Sequence, residues 1–582
     1  MLLPSANRPN PSLLEIEFGL TAIVAASAFA WPTLATGWFA KLERVFARLA
    51  DRQGLAVTVV GLTVVLLRLA ILPIYGIPLP FVPDDFSFLL AAHTFLHGRL
   101  TNPTPALWTH FESIHVTMVP TYQSMYFPGQ GLLLAAGQLL FGHPWFALLV
   151  MDGLMCAALT WCLQAWLPRR WALLGGFIAV IRLGLFSYWI NTYHAAGSLV
   201  AFGGALVLGA LPRLTRTARF RYGMLMGIGM TILVLSRPYE GMLLCLPVVA
   251  MLGHWALKGK SRPPAAVLLR RAAAPVVVLV LGLSWLGYYD FKAFGKATTL
   301  PYTVDRAQYA MVPYYVWQHE RQEPHYRHAV LRSFYERGEM DFYNEIHSWT
   351  GFVPYTLAKM IFAFLFYAGF LLMLPMLMVR RVLLDKRIRF LVTGLVVLAG
   401  GMTIEIFMLA HYVAPFVAAF YAVGIQAMRH LRLWKPEGKP VGQAMVRFLM
   451  VACVALGGLR LFAEPLRIAP PEWPPSNWNF TWFGPEHFGV ERASFEKRLE
   501  ELPGRQLVIV RYGKKHNPLD EWVYNQPNLN RSKVIWARNM SSADNLDLIR
   551  HYRNRQVWLV EPDAMPARMV PYPGPELLQA RR

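Results

Sequence analysis

The chain predicts an all-α polytopic membrane protein, with about 12 transmembrane helices and a small extracytoplasmic α/β domain at its C-terminal end. Three observations carry that expectation. Of 582 residues, 55% are hydrophobic and only 15% are charged, where soluble domains carry about 25% charge; the mean hydropathy is +0.35. Apolar stretches long enough to cross a bilayer recur along most of the chain. The polar tail instead alternates short β-branched runs with a helical pattern.

The expected spans fall near 18–40, 55–76, 145–167, 171–187, 196–212, 222–236, 241–257, 273–289, 352–378, 389–408, 412–428 and 444–462. The first has no basic n-region or small-residue cleavage site; Glu15 and Glu17 precede it and Lys41, Arg44, Arg48 and Arg52 follow. It reads as a retained span with its N-terminus outside. Alternating the rest places Arg169-Arg170, Arg213 to Arg221, Lys258 to Arg271, Arg380 to Arg389 and Arg429 to Lys439 together on the cytoplasmic side, the positive-inside pattern. Outside lie loops 77–128 and 290–350 and everything after 463. Gly129 to Phe141 is too short to cross easily and reads as a half-length or interfacial helix. Three parts result: 1–54, an extra helix and cytoplasmic loop; 55–462, the membrane domain; and 463–582, the extracytoplasmic α/β domain.

In the tail, Leu507 to Val510, Lys533 to Trp536 and Val557 to Val560 read as strands, with a helix from Asp544 to Arg553. No phosphate loop or nucleophile elbow occurs there, so a structural or acceptor-docking role is expected. Asn479-Phe480-Thr481 matches a glycosylation acceptor. The formal net charge of +22 is dispersed between spans rather than gathered on one face, which argues against nucleic acid. Cys156, Cys162, Cys245 and Cys453 all sit in apolar runs and imply neither disulfides nor a metal site.

Chemistry-bearing residues gather at the outer helix ends. Pro83-Asp84-Asp85-Phe86 opens a loop whose only basic residue is Arg99. Asp84 and Asp85 read either as helix caps or as general-base candidates. Phe88, Leu89, Ala92, Phe95 and Leu96 suit a helix lying on the membrane surface. Glu112 either assists Asp84 or pairs with Arg99. His93, His97, His110 and His115 would admit a divalent metal but do not indicate one, so no cofactor is expected. Arg237, in Ser236-Arg237-Pro238-Tyr239-Glu240-Gly241, can hold a phosphate or pair with Glu240. Glu405, His411 and Tyr412 occupy another outer end, and Tyr188, Trp189, Asn191, Tyr193 and His194 a third, where an aromatic belt would explain most of the rings.

These motifs resemble the GT-C superfamily, which includes protein O-mannosyltransferases and lipid A aminoarabinose transferases, in an uncharacterised bacterial branch. Pro83-Asp84-Asp85 resembles the family's acidic pair, which implies Asp84 as catalytic base with Asp85 in support. Tyr126-Phe127-Pro128-Gly129-Gln130-Gly131 resembles its re-entry motif, although the family's Lys ahead of that Pro is absent, and Arg237 stands as its substitute. Arg-Pro after a membrane helix and a late His-Tyr, here His411-Tyr412, are also familiar there. The resemblance implies a hexosyl- or pentosyltransferase of the bacterial inner membrane. It would take a sugar from a polyprenyl-phosphate donor to an unidentified glycan, lipid or protein acceptor, with active site and tail on the periplasmic side. Glu112, Tyr126, Arg237, Tyr239, Glu240, His411 and Tyr412 are then the expected substrate contacts. The competing class is a transporter or flippase, which predicts mid-membrane polar residues and a repeat; here the polar residues gather mainly at outer helix ends and no repeat of fixed period occurs.

Overall fold

The computed structural model describes residues 12–217, 219–258, 264–468 and 489–573; the Asn479-Phe480-Thr481 motif lies outside them. Helix α1 (Leu13–Ala30) is shorter than the 18–40 span expected. Pro32 disfavours a helical Trp31, which sits at φ −133°, ψ 63°, so the chain turns and a separate helix α2 (Thr36–Asp51) begins. Helix α3 (Gln53–Ala70) follows, then α4 (Pro83–Leu96), α5 (Pro128–Phe141), α6 (Trp145–Trp166) and α7 (Arg169–Ala179). The expected 171–187 span is this short α7 carried on by a π turn, Val180–Gly184.

Helices α8 (Gly197–Arg216), α9 (Phe220–Val234), α10 (Pro238–Lys258) and α11 (Ala265–Phe294) complete the first half of the bundle. Outside it, α12 (Pro301–Tyr309) and α13 (Glu339–His347) belong to the second loop. Then come α14 (Trp349–Tyr367), α15 (Arg389–Ile404), α16 (Val417–Arg432) and α17 (Val441–Leu461). The expected 352–378 span breaks because Gly369 takes φ +61°, a left-handed conformation that ends helices. Beyond it Leu371–Met378 is a 3-10 turn. Among the described residues, nine helices are long and apolar enough to cross a membrane, and Phe220–Val234 and Arg389–Ile404 are shorter apolar helices. The chain is thus a multi-pass, mainly helical membrane protein.

Helix α5 does not carry the chain across. Gln130 in its first turn donates to the Tyr193 carbonyl at 3.0 Å, and Trp145, just past its end, donates to the Ile190 carbonyl at 2.9 Å. Both flanks therefore reach one short stretch of chain, and the helix runs along one end of the bundle.

In the tail, α18 (Val490–Glu501) precedes strands β4 (Arg505–Val510) and β5 (Val534–Arg538), helix α19 (Ser542–His551), and strands β6 (Arg555–Glu561) and β7 (Arg568–Pro571). The first loop contributes β1 (Asn102–Pro103), β2 (Val116–Thr117) and β3 (Thr121–Ser124). The tail sheet runs β5-β4-β6-β7, parallel except for β7, with Val508 opposite both Trp536 and Trp558. One sheet face packs Val508, Val510 and Trp536 against Phe495, Leu499 and Trp522. The other packs Leu507, Ile509 and Ile535 against Leu90, Phe111, Met118 and Tyr122 of the first loop. A parallel sheet needs both faces covered, and here the membrane domain's own loop supplies part of one cover.

That packing corrects the reading of 86–97 as a membrane-surface helix. Pro83 and Asp85 to Ala92 are all buried in α4. Phe86 stacks on Tyr524 at 4.8 Å, and Arg492 lies over Phe86 at 4.7 Å. Phe88, Leu89 and Ala92, which a bilayer would have covered, are covered by protein, and Leu96 at the end of the helix stays exposed.

Candidate active site

Proline at the first helical position and two carboxylates in the first turn define the start of α4. Pro lacks the N–H that would be unpaired there, and the helix dipole favours negative charge. Neither aspartate is the N-cap, which is Val82. Successive helical residues point about 100° apart, and the two carboxylates enter different surroundings.

Asp85 is fully buried. Its Oδ1 accepts the Tyr193 N–H at 2.8 Å, the His194 N–H at 3.0 Å and His194 Nδ1 at 2.9 Å, while Oδ2 accepts the Phe81 N–H at 3.3 Å. This pins the connection before α8 against α4. The carboxylate lifts the His194 pKa although burial opposes it.

Asp84 is partly open. Its Oδ1 accepts the Tyr126 hydroxyl and lies 3.2 Å from His115 Nδ1, which is also 3.0 Å from the Tyr126 oxygen. Tyr126 has one proton and gives it to the carboxylate, so His115 Nδ1 must carry its own. Among the described residues, Oδ2 takes no hydrogen bond. Burial would raise the Asp84 pKa, but His115, His194 and the Tyr126 hydroxyl outweigh it and hold the carboxyl well below its usual range. Conversely, Asp84 and then Asp305 lift His115 against burial.

The small sheet β1-β3-β2 places these partners. Ser87 donates to the His115 carbonyl at 2.6 Å and meets Ser124 at 2.7 Å, and the Tyr126 N–H donates to Ser124 Oγ at 3.1 Å. His115 itself adopts φ +62°, uncommon for a residue with a side chain.

Arg237 forms the second pole. It contacts His411 Nε2, reaches Glu240 Oε1 at 3.3 Å and lies over the Tyr412 ring at 4.1 Å. A guanidinium only donates, so His411 is neutral with its proton on Nδ1, and that proton faces the Tyr188 hydroxyl at 2.6 Å. Tyr188 stacks on His194 at 5.9 Å, giving a continuous buried path from Asp85 through His194, Tyr188 and His411 to Arg237. Gly129 brings α5 to the same place: its N–H donates to the Leu235 carbonyl at 2.7 Å, and a Cβ would stand 2.7 Å from that oxygen.

The second loop closes the space between the poles. Tyr302 sits edge-on to Tyr126 at 5.7 Å and to Phe127 at 5.2 Å. Asp305 is buried, with its pKa pushed up to about 6 by burial, and accepts the Tyr335 hydroxyl at 3.4 Å. The His115 N–H donates to that same hydroxyl at 3.3 Å. Arg306 is held bidentately by Glu339, at 2.7 Å to each oxygen.

Several expected contacts stand elsewhere. Glu112 neither approaches Asp84 through a hydrogen bond nor pairs with Arg99. It is buried with Tyr309 at 3.1 Å, Arg327 at 3.3 Å and His328 at 3.3 Å, and its carbonyl accepts Arg538 Nε. It is a junction of both loops and the tail. Tyr239 donates to the Gly401 carbonyl at 2.9 Å and packs on Tyr315 at 5.1 Å. Glu405 is buried nearby. The 188–194 stretch is no interfacial belt, because Tyr188, Trp189, Tyr193 and His194 are all buried. No group of three or more metal-ligating side chains occurs among the described residues.

The carboxyl ends of parallel strands commonly bind ligands, but this sheet's edge is filled from within. Arg538 binds Glu112 and reaches Glu521 Oε2 at 2.6 Å, and His516 binds Asp563 at 2.9 Å.

No family model and no curated protein matches the chain. Solved structures do resemble it. The apo oligosaccharyltransferase of Archaeoglobus fulgidus aligns at 12% identity and TM-score 0.44 over 78% of this chain; the chain spans 62% of that protein's length. The AglB oligosaccharyltransferase of the same organism, in complex with an inhibitory peptide and a dolichol-phosphate, gives 12% identity and TM-score 0.46, covering 88% of this chain and 70% of that one. ArnT from Cupriavidus metallidurans, bound to undecaprenyl phosphate, gives 12% identity and TM-score 0.45 over 94% of each chain. Likenesses this distant leave the chemistry to be argued from the site itself.

Proposed function

We propose that the protein is a membrane glycosyltransferase, moving a hexosyl or pentosyl unit from a polyprenyl-phosphate donor to an acceptor hydroxyl on the periplasmic face of a bacterial inner membrane. The observation that carries this reading is the Asp84 carboxylate, with one oxygen held by Tyr126 and His115 and the other uncommitted. Arg237, seated on His411, Glu240 and Tyr412, supplies a separate caged cation.

In this reaction the acceptor oxygen attacks the anomeric carbon. The bond from that carbon to the phosphate oxygen breaks, and its electron pair leaves with the lipid phosphate. The acceptor's proton passes to Asp84 Oδ2. A carboxylate with a depressed pKa is a weak base, but the hydroxyl proton becomes strongly acidic once the new bond begins to form, so a weak, well-placed acceptor suffices. Arg237 balances charge on the departing phosphate. Its rigid seat on His411 and Tyr412 means little reorganisation is needed during transfer. Asp85 orients the wall rather than the reactants. Tyr126, Tyr302 and Tyr412 supply ring faces and hydroxyls for a sugar.

The test is donor binding and product formation by the purified full chain with polyprenyl-phosphate sugars. Asp84→Asn should keep binding and lose transfer, while Arg237→Ala should weaken binding. Absence of saturable binding across several sugars and chain lengths sinks the reading and favours the transporter class.

A further inference from the structure

Helix α2 joins α1 to α3 through short connections, Trp31–Ala35 on one side and Arg52 on the other. At 16 residues it is about 24 Å long, and it has two apolar faces. One packs on the base of the bundle: Phe39, Ala47 and Ala50 are buried, Phe46 meets Phe177 at 6.1 Å and Phe39 meets Phe448 at 6.3 Å. Within that face, Glu43 bolts the helix down through Arg432 at 2.8 Å and Arg447 at 3.0 Å, residues of α16 and α17. An adjoining face exposes Trp38, Leu42 and Val45, at 58%, 50% and 61%. These positions follow a spacing of four and three residues and so form one stripe. Lys41, Arg44 and Arg48, all exposed, line its edge away from the bundle.

We propose that α2 is an in-plane membrane-interface helix. Its Trp38-Leu42-Val45 stripe enters the boundary between headgroups and acyl chains, and Lys41, Arg44 and Arg48 bind anionic lipid headgroups of the leaflet on the basic side. Three features choose a lipid surface as the occupant. α2 connects two candidate spans, α1 and α3, so it lies where a leaflet ends. The stripe is narrow and bordered along one edge by cations, as the apolar faces of interfacial helices are, whereas α1 and α3 carry apolar faces without such a border. Finally, the Glu43 bolts hold the helix against the bundle base, so the stripe keeps a fixed outward orientation.

The test uses the full chain in vesicles of phosphatidylcholine, with and without phosphatidylglycerol. A fluorophore is placed at Val45→Cys or Asp51→Cys in a background with Cys245→Ser and Cys453→Ser. The label at 45 should be shielded from an aqueous quencher, the label at 51 should not, and brominated phosphatidylglycerol should quench the former more strongly than brominated phosphatidylcholine. Removing charge with K41Q, R44Q and R48Q should lower that preference roughly fivefold per residue. Equal aqueous quenching at 45 and 51 overturns the proposal. So does equal quenching by the two lipids in the unmodified-charge protein. Label-to-label contact at 45 shows a second copy of the chain on the stripe, and also overturns it.

Discussion

The wall around Asp84 and the wall around Asp85 begin one residue apart and differ in kind. Asp85 meets mostly backbone: three of its four bonds come from the main-chain N–H groups of Tyr193, His194 and Phe81 and the fourth from the His194 ring, and no solvent reaches it. Asp84 meets side chains only, Tyr126 and His115, and keeps one oxygen open. A carboxylate held on both oxygens can stabilise a fold but cannot take up a ligand's proton without breaking that fold. One held on a single oxygen can do so.

The sharpest break in that comparison comes from substituting each aspartate in turn. Asp84→Asn should lower transfer by about 10²–10⁴, the usual worth of a positioned base. Its loss of melting temperature should be smaller than that of Asp85→Ala, because the amide oxygen still accepts from Tyr126 and only the charge facing His115 is lost. Asp85→Ala should instead cost about 3–5 kcal/mol of stability, because it strands His194 and two buried N–H groups. Parallel transfer assays and detergent melting curves separate the two. Equal stability losses would erase the distinction between the walls.

Arg237 extends the comparison to the second pole. Losing its charge-assisted bonds should weaken donor binding about 10- to 100-fold in Arg237→Ala. Arg237→Lys should recover little, because an ammonium cannot span His411 and Glu240 as the planar fork does. Titration of a polyprenyl-phosphate sugar measures both. Full recovery by lysine would mean that charge alone matters and the His411 seat does not.

A smaller effect follows from pH. Asp84 is depressed below its unfolded value of about 3.9, so its contribution is complete above that pH and fades only as pH falls through the lower folded value. His115 and His194 are raised, so theirs is complete below about pH 6.5 and is lost as pH rises through the folded values. These three contributions together are flat between about pH 4 and 6.5. Asp305, raised to about 6 by burial, loses its own as pH rises from about 4 to 6. Stability should therefore fall across that window, and fall further on the alkaline side as the histidines titrate. His115→Asn should reduce that alkaline slope, leaving the part due to His194. An unchanged slope in melting curves would show that the Asp84 wall is not built around a charged imidazole.

Much of this was legible in the chain. Apolar length located the helices, and Pro83 followed by two aspartates marked the start of α4, because proline position and charge at a helix start are local properties. What stayed hidden was non-local. The groups that hold Asp85 are the N–H groups of Tyr193 and His194, and a backbone donor has no sequence signature. Tyr302 and Asp305 lie far along the chain from Asp84, in a loop whose aromatics look the same whether they face lipid, water or a site. Glu112 was misread for a related reason: its partners Arg327 and Arg538 belong to parts of the chain with no local link to it. The break after Ala30 was readable from Pro32, but continuous apolarity outweighed it.

The smallest predicted effect asks whether the tail merely supports the Asp84 wall. Tyr122, in β3, donates its hydroxyl to the Asn525 carbonyl at 2.7 Å, linking the sheet that carries His115 and Tyr126 to the tail segment that packs on α4. Tyr122→Phe keeps the buried ring and removes one neutral hydrogen bond, worth about 1 kcal/mol. Melting should fall accordingly, with donor affinity unchanged, because Arg237 does not touch this contact. If the tail only buttresses α4, transfer should stay within about twofold of the parent, since a shift too small to break the Tyr126–Asp84 contact leaves the base in place. A much larger loss of transfer at unchanged donor affinity would mean that the tail sets the approach of the acceptor. The difference between the two walls would then reach beyond the two aspartates into the α/β domain.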